Sequence, residues 1–201
     1  MKITATKEEK SLMLPGDEVT PNFKGRETHA ITINSSTKEI FPWIKQMGCR
    51  RAGWYSYDKI DNGGKSSARV IIQEFQDVKI GDILPARPSD PPGVGFKVNG
   101  IKENEYLVLT TFSKFPSFRP VKQNEQPKMF WKSSWTFFLR KESLNRTRLI
   151  VRSSVDFHPW WISILSYLIA KPLHFIMQKR QLINIKNRIE KRYTAYNNGY
   201  K

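Results

Sequence analysis

The residues best suited to chemistry crowd between Trp43 and Gly64. Trp43-Ile-Lys-Gln-Met-Gly48 is followed by Arg50-Arg51-Ala-Gly53-Trp54-Tyr55-Ser56-Tyr57-Asp58 and then by Asp61-Asn62-Gly63-Gly64. Rings, hydroxyls, guanidinium groups and carboxylates thus fall within about twenty residues. Arg51 can pair bidentately with a carboxylate, and Tyr55 and Tyr57 each offer a flat apolar body with a polar tip. Equally, the stretch reads as a polar loop in which Gly53 permits an unusual turn and Trp54 plugs a core. Other chemistry has less behind it. His29, His158 and His174 are far apart and lack an i, i+4 or Cys-x-x-Cys companion, so no metal is implied. Cys49, the lone cysteine, sits beside Arg50 and Arg51, whose charges would lower a thiol pKa, but no base lies nearby in sequence. Gly93-Val-Gly95 lacks the third glycine and the Lys-Ser/Thr of a phosphate loop, so the sequence implies no cofactor.

Some scaffold must position these groups. At 201 residues the chain makes one domain, and 12 Phe, 7 Tyr and 6 Trp supply a core that a disordered chain lacks. Residues 1–26 are polar and interrupted by Pro15, Gly16 and Pro21, which predicts an arm, irregular or laid over the surface, ahead of a single domain over 27–201. Thr28 to Ile33 is a short β-rich run. Ser36 with Glu39 three residues on forms a capping box, and Ile40, Phe41, Ile44 and Met47 then recur at helical spacing. Residues 69–75, 94–101 and 105–113 read as strands. The clearest strands come next: Met129, Trp131, Ser133, Trp135, Phe137 and Leu139 alternate with mostly polar residues, and Leu149, Val151, Val155 and Phe157 alternate with Arg148, Arg152 and Asp156.

Beyond His158-Pro159 the pattern becomes helical, with Pro172 predicted to end or kink the segment. Phe175, Leu182, Ile185, Ile189, Tyr193 and Tyr196 share one sector, and Arg180, Arg188 and Lys191 lie opposite. Runs of strands followed by a long helix predict an α+β fold, an antiparallel sheet covered on one face.

The quoted loop, together with Leu14-Pro-Gly-Asp-Glu18, Pro85 after Gly81-Asp82, and His174-Phe-Ile-Met177, resembles a bacterial group of the START-like, polyketide-cyclase and birch-pollen-allergen superfamily (SRPBCC), over about residues 14–192. The resemblance implies a helix-grip fold: a curved antiparallel β-sheet wrapped around a long C-terminal α-helix with an internal apolar cavity. Activity varies widely among such folds, and no catalytic residue carries over. Where similar chains have Gly before Ile-Lys and Ala after Arg, this one has Asn184 and Ile189, which would narrow or reshape a cavity.

The expected function is binding or carriage of a hydrophobic or aromatic small molecule or lipid between sheet and helix. Trp54, Tyr55 and Tyr57 are expected at the cavity mouth, Phe96, Trp131, Trp135 and Phe137 on the strands, His174 and Met177 on the helix, and Arg51 against a polar head. A cyclase- or dehydratase-like enzyme with Tyr55, Asp58 or His174 as acid or base is the alternative. A third reading starts from charge. The net charge is +16, and residues 140–201 carry 13 basic against 3 acidic residues. No nucleic-acid reader motif accompanies them, so nucleic acid is not the expected partner. Residues 159–170 (PWWISILSYLIA) are apolar on every side yet span roughly 18 Å at ~1.5 Å per residue, too short to cross a bilayer. They are either the buried start of the long helix or an interfacial segment. In the latter case Trp160 and Trp161 sit among headgroups, with Lys171, Lys179 and Arg180 meeting anionic lipid. One cysteine and an opening MKITATKEEKS without an apolar signal region lead to an expected cytoplasmic location, peripheral to the inner membrane face.

Overall fold

The alternating runs form one antiparallel sheet in the computed structural model, which describes all residues except 116–118, 123, 166, 167, 169 and 199–201. The strands are β1 (Gly25–Ile33), β2 (Ile83–Leu84), β3 (Phe96–Lys102), β4 (Tyr106–Lys114), β5 (Phe130–Ser143) and β6 (Arg146–His158), ordered β1-β6-β5-β4-β3-β2. The β5–β6 hairpin is its centre, pairing Phe137 with Val151 and Leu139 with Leu149. Because side chains alternate, the odd-numbered residues of both strands face the same way. Phe137, Leu139, Leu149 and Val151 are all buried there, beside Ile31 and Ile33 of β1. Each fully buried side chain of this size contributes about 1.5–3 kcal/mol.

Two helices cover that face. Helix α2 (Thr37–Lys45) opens on the expected Ser36–Glu39 capping box and buries Ile40, Phe41, Trp43 and Ile44. Pro42 lies within it. Helix α5 (Lys171–Asn198) contributes Leu182, Ile185 and Ile189 to the same core. Pro172 stands in its first turn, where a missing N–H costs nothing, so the expected break is realised as a helix start. The side chains of Tyr193 and Tyr196 lie outside the described ones. The α+β arrangement read from the pattern, an antiparallel sheet with a long C-terminal helix across it, is the observed one.

Two expectations are corrected. Residues 69–75 are not a strand: they run as bends into a 3-10 turn at Gln73–Phe75. Their backbone pairs instead with a side chain, since Gln46 donates to the Val70 carbonyl (3.1 Å) and accepts from the Ile72 N–H (2.9 Å). The second correction concerns the even-numbered face of β6, read as solvent-facing. It is roofed by the N-terminal segment, including α1 (Lys7–Ser11). Arg152, only 1% exposed, donates to the carbonyls of Glu9, Lys10 and Leu12, to Thr28 Oγ1 and to Asp17 (2.7 Å). Arg140 and Arg148 reach the buried carboxylate of Glu9. Part of the basic excess is therefore spent holding the arm. Residues 3 and 4 also line the outer edge of β1, through the Ala30 N–H to the Ile3 carbonyl and a Thr4–His29 bridge. This covers an edge that would otherwise be open to pairing.

Candidate functional site

The turn that follows α2 owes its shape to left-handed backbone at Gly48, Arg50, Gly53 and Tyr55. At Gly53 (φ +80°) a Cβ would lie 2.3 Å from Ser67 Oγ, so only glycine fits. That hydroxyl accepts from the Tyr55 N–H and donates to Asp58 (2.5 Å), tying the loop to the short helix α3 (Asp58–Asp61). The turn drives Trp54 inward, so it belongs to the core rather than to a rim.

Five of the expected ligand-binding residues meet there. Trp54 stacks on Trp135 (5.3 Å between ring centroids), and Phe96 packs on both at 5.6 Å. Phe137 lies 4.9 Å and His174 6.3 Å from Trp135. A chain of buried amides, invisible to motif reading, stitches the cluster to α5: Trp135 Nε1 donates to Gln178, Gln178 to Gln181, and Gln181 to the Trp54 carbonyl. Rings and amides thus lie between sheet and helix at this level.

The other five sit apart. Tyr55 is buried, accepts from Gln46 (2.7 Å), and has the Arg188 guanidinium 5.0 Å from its ring; burial pushes its hydroxyl well above the ordinary tyrosine range. Asn184 donates to the Tyr55 carbonyl (2.8 Å) and so ties α5 to the loop after α2. Arg51 donates to the carbonyls of Lys45, Met47 and Phe75, and so ties loop to loop. Arg180 lies over Tyr57 at 4.8 Å, Trp131 stacks on Phe157 at 6.4 Å, and the Met177 carbonyl accepts from Ser56 Oγ. Arg188, read as part of a solvated back, donates to the Ala68 and Asn184 carbonyls.

Several titratable groups are perturbed. Burial raises the Cys49 thiol pKa, overriding the lowering expected from its arginine neighbours. Asp61 is buried, and neither carboxylate oxygen makes a hydrogen bond; desolvation first, and the Asp58 charge second, raise its pKa to about 6. Glu27 opposes its own desolvation through His174 (3.3 Å) and His29 (3.8 Å), and its pKa is lowered to about 2. Tyr55, Asp58 and His174, the candidate acids and bases, thus have separate partners: Gln46, Ser67 and Glu27. Among the described residues no three His, Cys, Asp or Glu side chains are placed to hold a metal ion.

The segment leading into α5 is the largest departure from a closed core. Trp160 (64% exposed), Trp161, Ile164, Leu168 (68%), Leu173, Phe175 and Ile176 all face solvent, whereas Ile162, in the short helix α4 (Ile162–Leu165), turns inward. The described part of 159–170 is therefore not a buried helix start. A depression of about 230 Å³ between Lys24, Ser163, Ile164 and Leu168 marks where this ridge meets the body. A second, of about 310 Å³, lies between the N-terminal segment, β1 and α5, and includes Phe175. Among the described residues, no helix is long and apolar enough to cross a membrane.

No protein-family model matches the chain, and no curated protein matches it in sequence. Comparison with solved structures returns matches at low identity. A protein from Arthrobacter aurescens is 12% identical, with 83% of this chain and 86% of that one covered at a TM-score of 0.47. A norcoclaurine synthase mutant from Thalictrum flavum, in complex with a transition-state analogue, is 10% identical, with 84% and 96% covered at 0.41. An aromatase/cyclase from a Streptomyces species is 9% identical, with 82% and 95% covered at 0.34.

Proposed function

We propose that the protein works at the surface of an anionic membrane, docking through residues 157–192, and that it belongs to the START-like superfamily whose motifs it resembles. One observation carries the docking reading: seven large apolar side chains between Trp160 and Ile176 are exposed on one continuous stretch of chain. Large contiguous apolar patches on soluble folds mark interaction sites. The choice of a membrane over a protein partner follows from the surroundings. Two adjacent tryptophans suit the headgroup zone, and Lys24 and Lys179 line the two depressions that border the ridge on a chain of net charge +16. Co-sedimentation with vesicles tests it: binding should rise with phosphatidylserine content and fall with salt, and equal binding to neutral and anionic vesicles would count against it.

A second reading is carriage of a hydrophobic or aromatic molecule between sheet and helix, and the aromatic cluster supports it. The rings of Trp54, Phe96, Trp135 and Phe137 touch one another and would form one wall of the binding space. Native mass spectrometry of freshly purified protein would detect a retained lipid-like species. The two readings are compatible, because a lipid carrier must visit a membrane. The three groups named for the enzymatic alternative do not meet one another: Tyr55, Asp58 and His174 are hydrogen-bonded to Gln46, Ser67 and Glu27 respectively.

A further inference from the structure

The groove of about 310 Å³ lies between residues 1–5, which pair with the outer edge of β1, and α5. Its volume is at the small end of ligand sites, the size of a head group rather than of a whole lipid. Lys2, Lys10 and Lys179 line it, and no acidic side chain does. All three lysines are exposed, and among the described residues none is held in an ion pair. On the floor is His29, whose Nε2 is buried and makes no hydrogen bond. Glu27, whose carboxylate lies 3.8 Å from His29 Nε2, pairs with His174 at 3.3 Å and Lys171 at 3.7 Å and with none of the three lysines. It therefore does not cancel the lysines. Three uncompensated ammonium groups around a pocket make a site for a multiply charged anion, and a phosphomonoester, with charge of about −1.5 to −2 and three acceptor oxygens, matches them.

Phe175 gives the anion a context. Its ring packs against His29 at 5.4 Å and lines the groove, yet it is also the exposed neighbour of Leu173 and Ile176 on the apolar ridge. The polar pocket and the apolar surface therefore share a wall. We propose that this groove binds the phosphomonoester head of a single amphiphile, whose tail leaves along Phe175 toward the ridge. The inference rests on the membrane reading only for the source of that amphiphile.

Titration calorimetry on the full chain separates the possibilities, using dihexanoyl phosphatidic acid below its micelle concentration, dihexanoyl phosphatidylcholine and glycerol phosphate. The phosphatidic acid should bind at least about tenfold more tightly than glycerol phosphate, because a few methylenes on Phe175 contribute that much. It should likewise exceed the phosphatidylcholine. Lys10→Gln and Lys179→Gln should each weaken it about fivefold, and together about 25-fold, at roughly 1 kcal/mol per basic group. Both lysines are exposed, so the fold is not at risk. Equal affinity for glycerol phosphate would make this a site for free phosphate esters and overturn the amphiphile assignment. Unchanged affinity in the double variant, or no binding of phosphatidic acid at millimolar concentration, would overturn the site itself. Trp160→Ala with Trp161→Ala should weaken vesicle binding by roughly sixty- to a hundredfold and leave the monomeric lipid titration unchanged, so failure of membrane docking and failure of the groove give different results.

Discussion

Replacing Trp160 and Trp161 together by alanine isolates the apolar part of membrane docking. The two side chains are 64% and 52% exposed, so the fold makes little use of them. An indole buries up to about 150–250 Å², which leaves roughly 100 Å² of each free to enter a lipid interface. At about 25 cal/mol per Å², full insertion of each would be worth ~2.5 kcal/mol, and insertion to the depth of the headgroup boundary about half of that. The pair then contributes about 2.5 kcal/mol, and its removal should lower the partition coefficient onto mixed phosphatidylserine and phosphatidylcholine vesicles by roughly sixty- to a hundredfold. Thermal unfolding without lipid should move by less than about 0.5 kcal/mol, as for other exposed sites. Co-sedimentation across vesicle concentration gives the partition coefficient, and tryptophan emission adds an independent signal, shifting to the blue in the parent protein when vesicles are added. A double variant that binds vesicles as the parent does would refute the reasoning, since the ridge would then contribute nothing at the surface.

Three further outcomes follow from the interior. Arg152→Ala should destabilise the protein by about 3 kcal/mol, because it leaves three carbonyls of the N-terminal segment without their donor under a sheet face and reduces Asp17 to its contacts with Arg26 and the Leu14 N–H; limited proteolysis should then cut within residues 1–20 before the domain unfolds. Gly53→Ala should cost about 2 kcal/mol in denaturant titrations, since it combines a positive φ with a Cβ placed 2.3 Å from Ser67 Oγ. Asp61 couples stability to pH. Its carboxyl ionises near 3.8 when unfolded but near 6 when buried, so its contribution is fully present below about 3.8 and is lost as pH rises through about 6. With solvent screening allowed for, the change is on the order of 1 kcal/mol; Asp61→Asn should flatten the stability profile over that interval, and an unchanged profile would show that folding leaves the Asp61 pKa where it is in the unfolded chain.

Local signals were enough wherever a segment's structure depends on its own residues. The Ser36–Glu39 box placed the start of α2, because a cap is satisfied within four residues. The alternation in β5 and β6 placed the inward rings, because a half-buried strand shows its two faces at period two. The same reasoning failed at residues 69–75, whose β-rich composition is partnered by the side chain of Gln46 and not by a strand. It failed again at Arg152 and Arg188, which periodicity assigns to solvent. Both are occupied by backbone carbonyls from segments 140 and 120 residues away in sequence.

By itself, then, the sequence determined the α+β class, the helix start, the strands that carry Trp135 and Phe137, and the concentration of positive charge toward the C-terminal end. Tertiary structure decided what those features face. An apolar stretch such as Pro159–Ala170 has no period from which to read its burial, and only the position of α5 against β1 leaves its tryptophans outside. The groove of Lys2, Lys10, His29, Phe175 and Lys179 is likewise assembled from three segments. Hydrophobicity and charge are properties of residues, whereas exposure and encounter depend on which distant surfaces the fold brings together.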